Sequence, residues 1–146
     1  MRLLSRYNEA VRLGAQLDIK TPTGTRALVP VYEVVTINLT ASATAFVCDT
    51  LSGSFVVAGV EAVFGNTTTS GTLQVEVATG TTALGSGVNQ LVTPISLAGV
   101  ANTALAGSVV SPLTTVTTGS RVNVILGGTL TGLANLSVNV VLQRTA

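Results

Sequence analysis

The stretch LSVNVVLQ, residues 136–143, decides the fold of this chain. Leu and Val occupy every second position, and Ser, Asn and Gln fill most of the positions between them. Because successive side chains of a strand point to opposite faces, this pattern predicts a strand with one face in a core. The side chains expected to point inward, on this strand and on a neighbouring one, are Leu136, Val138, Val140, Leu142, Val122 and Val124.

The same period of two recurs in short segments along the chain back to Val34. The clearest of these segments are Val35–Thr40, Leu73–Val77 and Val122–Leu126, and turn residues such as Gly, Asn and Ser separate them. Gly59 interrupts one apolar run and predicts a bulge, and GGTLTG at 127–132 predicts a bulge or a tight corner. We count about eight short strands at roughly ten-residue spacing, which is typical of an all-β, antiparallel jelly roll or β-sandwich.

The first 33 residues have a different character from the rest. They hold eight of the thirteen charged side chains, whereas residues 34–146 hold five. Apolar residues from Leu3 to Val11 recur at three- and four-residue spacing, which predicts a short amphipathic helix, and Thr-Pro-Thr-Gly at 21–24 suits a turn in a small hairpin or extended arm. The sequence therefore predicts two parts, an N-terminal arm for docking or subunit exchange (1–33) and a β-sandwich body (34–146).

The arm is the one candidate binding site. A short helix is marginal alone in water, so it needs a surface to pack on, either a partner's or that of its own body. Five basic residues diluted by three acidic ones favour a protein surface over nucleic acid or membrane. The residues predicted to make the contact are Arg2, Leu3, Leu4, Arg6, Tyr7, Val11, Arg12, Lys20 and Arg26.

Residues that carry chemistry are scarce. The chain has no histidine, which excludes catalytic pairs that need one, and its single cysteine, Cys48, is expected to be a small apolar side chain. Glu61 and Glu76 fall on predicted strands, and each is expected to be a charge at the rim or a partner of Arg121. We therefore expect no catalytic residues, no cofactor and no metal, and hence no enzyme.

The body resembles the head decoration, or cement, proteins of tailed bacteriophages. An alternating strand, Val35–Thr40, precedes a short Ala-Phe-Val strand, and LQVEVATGTTALGSG (73–87) and GVANTALAGSV (99–109) follow. The segment TTGSRVNVILGGTLTGLANLSVNVVLQ (117–143) then supplies a turn, a strand, a Gly-rich corner and a closing strand. Where family members have an acid before the basic residue of that turn, this chain has Ser120.

The resemblance implies a jelly-roll virion protein that is made in the host cytoplasm and sits on the outer capsid surface. Three copies would associate and clamp neighbouring subunits of the major capsid protein, with the arm reaching across the capsid or to an adjacent copy. Neither nucleic acid nor a membrane is expected as a partner. The alternative is a receptor- or glycan-binding module of a phage head or tail fibre, but its loops should carry aromatic residues, and the loops 79–90 and 98–103 have none.

Overall fold

The computed structural model describes residues 17–20, 26–29, 32–39, 45–50, 53–111 and 115–145, with the backbone alone at 17–20, 26–29 and 45–50. All regular structure in this part of the chain is β. The strands are β1 (Leu17–Lys20), β2 (Arg26–Val29), β3 (Tyr32–Leu39), β4 (Ala45–Thr50), β5 (Phe55–Val63), β6 (Thr72–Thr79), β7 (Val88–Asn89), β8 (Ile95–Ser96), β9 (Leu105–Gly107), β10 (Thr115–Val116), β11 (Ser120–Gly127) and β12 (Leu136–Arg144).

Two antiparallel sheets form a sandwich. In sheet 1, β3 pairs with β12, β12 with β5, and β5 with both β9 and β10. In sheet 2, β4 pairs with β11, β11 with β6, and β6 with both β7 and β8. β9 and β10 both pair with β5, and β7 and β8 both pair with β6, so each of these two pairs occupies one strand position. Numbered along the chain from β3, the eight positions run 1-8-3-6 in sheet 1 and 2-7-4-5 in sheet 2. This is the strand order of a jelly roll, so the predicted fold class is confirmed.

The core lies between the sheets and matches the alternation of β12. Leu136, Val138, Val140 and Leu142 are all buried, and Ser137 and Asn139 point to the outer face of sheet 1. Val122 and Val124 are also fully buried. The sequence predicts these two residues on a strand beside β12, and that prediction is wrong. They belong to sheet 2 and meet β12 across the core.

Glycine marks two irregular points of the sandwich. The register between β5 and β12 passes from Gly59 to Val57, which leaves Ala58 as the extra residue of the predicted bulge. After β11, Gly128 has a φ of +70°, and a Cβ there would lie 2.1 Å from the carbonyl oxygen of Ser70. Only glycine fits such an approach between two backbones, so the predicted corner at 127–132 is confirmed.

The described residues before Tyr32 and those from Tyr32 onward belong to different sheets. β1 and β2 form a separate two-stranded antiparallel sheet, which confirms the predicted hairpin. The sandwich begins at Tyr32, two residues earlier than expected, because Tyr32 and Glu33 already pair with β12. The predicted helix between Leu3 and Val11 lies outside the described residues.

Candidate functional site: the open side of the sandwich

The two lateral sides of the sandwich differ, and the side formed by β3 and β4 is the candidate site. β3 is the edge of sheet 1 and β4 the edge of sheet 2, and the two strands contact each other. Among the described residues, no strand pairs with the outer edge of either one. An edge strand of eight residues leaves a row of backbone N–H and C=O groups available to another chain. We call this the open side.

The outer face of sheet 1 next to this edge is apolar. Val34 and Val141 are cross-strand partners, and Val141 is in turn the partner of Gly59. Val34 is 57% exposed and Tyr32 54%, whereas Val141 is partly buried. Because Gly59 has no side chain, Val141 stands at the border of a shallow depression. We call Tyr32, Val34, Val141 and Gly59 the apolar strip.

On the outer face of sheet 1, the charged residue in the row next to the apolar strip is acidic. Glu61 on β5 is exposed, and it lies in one cross-strand row with Asn139 and Thr36. The hydroxyl of Thr36 donates a hydrogen bond of 2.8 Å to Oδ1 of Asn139, which ties the edge strand to β12. Glu33, also exposed, is the partner of buried Leu142 and so belongs to the opposite face of β3. The outer face therefore offers to a partner an apolar strip with one carboxylate beside it, that of Glu61.

The hairpin of the arm directly precedes β3 in the chain, with Val29 three residues before Tyr32. Its register pairs Leu17 with Val29 at the base and Lys20 with Arg26 near the turn. Like charges at directly opposed positions destabilise a hairpin, so this end of the ribbon favours an acidic partner. Of the predicted contact residues, the structure thus brings Lys20 and Arg26 together. The other predicted contacts, Arg2, Leu3, Leu4, Arg6, Tyr7, Val11 and Arg12, lie outside the described residues.

The opposite side of the sandwich is joined by backbone hydrogen bonds, and we call it the closed side. The N–H of Val92 donates to the carbonyl oxygen of Ser108 at 2.8 Å, and that of Val110 donates to Gln90 at 2.9 Å. Leu91 and Val109 form a β-bridge between these two bonds. The segment that follows β7 is thereby joined to the segment that follows β9, so this side presents no long free edge.

Leu91 is the central residue of the closed side. The amide of the Gln74 side chain donates to the carbonyl oxygen of Leu91 at 3.2 Å and accepts its N–H at 3.0 Å. The Leu91 side chain is buried against Gly107, where an added Cβ would lie 2.7 Å from Cδ2 of Leu91. Both the polar and the apolar parts of Leu91 are therefore satisfied within the chain.

Glu76 is neither a charge at the rim nor a partner of Arg121, so both predictions for it are wrong. It is 1% exposed, and its carboxylate accepts three hydrogen bonds of 2.8–2.9 Å, from the N–H groups of Gly85 and Gly87 and from Nδ2 of Asn123. Arg121 instead donates to the carbonyl oxygen of Thr82. A buried charge needs such donors to offset its lost hydration. Glu76 therefore holds the loop after β6 against the outer face of sheet 2.

The two glutamates of the body lie on different sheets. Glu61 is on sheet 1 and Glu76 on sheet 2, so they do not form a carboxylate pair. Beside Glu76, Nε of Arg121 and Oδ1 of Asn123 are buried without a hydrogen-bond partner among the described residues. The sequence signal that was missed is the pair of glycines, Gly85 and Gly87, which lets two backbone N–H groups approach one carboxylate.

Two clefts in the described part of the chain are candidate sites, but neither has the lining of a catalytic or sugar site. One, of about 320 Å³, lies between the 93–99 segment and β9, and the other, of about 230 Å³, lies between the 77–88 segment and β10. Both are lined by small apolar residues, Ser and Thr, without a charged or aromatic side chain. Within the described residues there is no group of three or more His, Cys, Asp or Glu side chains that could hold a metal ion.

Comparisons with known proteins add no relative. No protein-family model, no curated protein and no solved structure matches the chain. In the part of the chain that the structure describes, no helix is long and apolar enough to cross a membrane.

Proposed function

We propose that this chain is a non-enzymatic structural protein of a phage virion. It decorates the outer capsid surface as a homotrimer and reinforces the capsid by clamping neighbouring major capsid subunits. The observation that carries the proposal is the open side, because it combines a long free edge strand with an exposed apolar strip, and the hairpin that bears Lys20 and Arg26 directly precedes that edge strand in the chain. Free edges and apolar strips are surfaces that bind protein.

The charge distribution supports the same function. No charged residue occurs between Val77 and Ser120, and the loops and strands of that segment expose Val88, Val92 and Val100 by 60–68%. A lone soluble protein usually keeps itself dispersed with surface charge. A neutral surface suits burial between subunits, because no charge loses its hydration when the subunits meet. The closed side would then face sister copies, and the open side would face the capsid.

Deletion of the arm tests the proposal. The cut belongs after Val31, because Tyr32 and Glu33 pair with β12. We expect residues 32–146 to fold with a near-normal melting temperature but to bind capsids prepared without this chain at least about tenfold more weakly, or ~1.4 kcal/mol. A second variant, without residues 1–16, keeps the hairpin and separates its contribution from that of the predicted helix.

The outcomes of the deletion are distinct. If residues 32–146 bind capsids as tightly as the full chain does, the arm is not the anchor. If they fail to fold, the arm belongs to the sandwich or joins the copies together. Failure of the full chain itself to bind any capsid would remove the decoration function altogether.

The oligomeric state can be measured without a capsid. We expect light scattering to give the mass of three chains at micromolar concentration, because a closed ring would bury the neutral, apolar surface of the closed side between sister copies. A monomeric mass would contradict the trimer.

A further inference from the structure

The apolar strip has no cover among the described residues. Tyr32 and Val34 are each more than half exposed, side by side on the outer face of sheet 1, and Val141 continues the strip towards Gly59. Contiguous apolar surface at a free edge promotes aggregation unless something covers it. A segment that covers the strip must be long enough to reach it, begin close to it and carry apolar and charged residues that complement it.

The path of the chain brings its first residues to this strip. In the hairpin, Leu17 pairs with Val29, and such partners lie about 5 Å apart. Val29 is three residues from Tyr32, so Leu17 lies within roughly 16 Å of the strip. Residues 3–13 would span about 16 Å as a helix, and the three residues that follow can add about 10 Å of reach. The segment is therefore long enough to cover the strip of its own subunit.

The chemistry of this segment complements the strip. Its apolar residues recur at helical spacing from Leu3 to Val11, so they would form one face. Three arginines against one glutamate make residues 1–16 basic, whereas Glu61 places a carboxylate beside the strip on the same face. An apolar face with basic flanks thus matches an apolar strip with an acidic flank.

We propose that residues 3–13 dock on the apolar strip of their own chain. The same subunit is favoured over a second copy, because the hairpin tethers the segment beside its target and so gives it a high effective concentration. Docking covers Tyr32 and Val34 next to the free edge and keeps the arm folded back until a tighter partner displaces it. The inference goes beyond the proposed function and does not require that the partner be a capsid.

Crosslinking of the full chain tests this docking. Leu4→Cys and Val34→Cys are combined with Cys48→Ala, and the protein is treated with a short bismaleimide at two concentrations. We expect a crosslink within one chain, in equal yield at both concentrations, as measured by intact mass and by mapping the crosslinked peptides. The matched control replaces Val34→Cys with Val100→Cys, which is exposed on a loop at the other end of the sandwich, and it should give no such crosslink.

Every other outcome overturns the inference. A crosslink between two chains, with a yield that rises with concentration, would mean that a second copy covers the strip. No crosslink, or the same yield in the Val100→Cys control, would mean that the arm does not dock there.

A second measurement needs no cysteine: in Val34→Lys, trypsin should cut after Arg6 and Arg12 at least about tenfold faster than in the parent protein. Unchanged cutting would also reject the docking.

Discussion

The two sides of the sandwich solve the problem of a free sheet edge in different ways. On the closed side, short strands are joined across the sandwich by the bonds around Leu91, and Gln74 satisfies the backbone there. On the open side, β3 runs for eight residues without an outer partner among the described residues. The difference teaches that a chain can complete one edge of its sandwich with its own backbone while it leaves the other edge without a strand partner among the described residues.

The largest effect should come from Leu91→Ala on the closed side. Leu91 is buried and packs against Gly107, so its truncation removes apolar burial and leaves a cavity. We expect a loss of about 2–5 kcal/mol in the free energy of unfolding, measured by urea denaturation. The matched variant on the open side, Val34→Ala, should change it by no more than ~0.5 kcal/mol. Equal losses would abolish the distinction between the two sides.

An intermediate effect should come from Glu76→Gln. The amide can accept only through one oxygen, so its NH₂ group would face a donor, the N–H of Gly85 or Gly87. We expect a loss of about 1.5–3 kcal/mol and faster proteolysis within residues 80–88. Glu61→Gln on the exposed face of sheet 1 is the control and should stay within ~0.5 kcal/mol. If the loop remains resistant to protease in Glu76→Gln, the carboxylate does not hold it.

The smallest effect on stability should come from Val34→Lys at the open edge. Lysine at an exposed edge position opposes strand pairing with another chain, but it disturbs no buried contact. We expect the free energy of unfolding to change by less than ~0.5 kcal/mol and capsid binding to weaken in the same protein. A large loss of stability with intact binding would show that the edge belongs to the core and not to the interface.

Much of the fold could be predicted from the sequence, because local patterns carry it. The alternation of β12, the bulge beside Gly59 and the pairing of the strands on either side of 21–24 each depend on a few neighbouring residues, and all three appear as predicted. The burial of Glu76 could not be predicted, since it depends on a loop that returns ten residues later. The joining of Leu91 to Val109 likewise depends on the order of strands, which no local pattern encodes.

The pairing of β3 with β12 also bears on how the chain is made. Thr36 and its partner Asn139 are 103 residues apart, and β12 is the last strand of the sandwich. At synthesis rates of about 5–20 residues per second, β12 is synthesised roughly 5–20 s after β3. Throughout that interval both edges of β3 are free, so the nascent chain is then most vulnerable to misassembly with other nascent chains on the same messenger RNA.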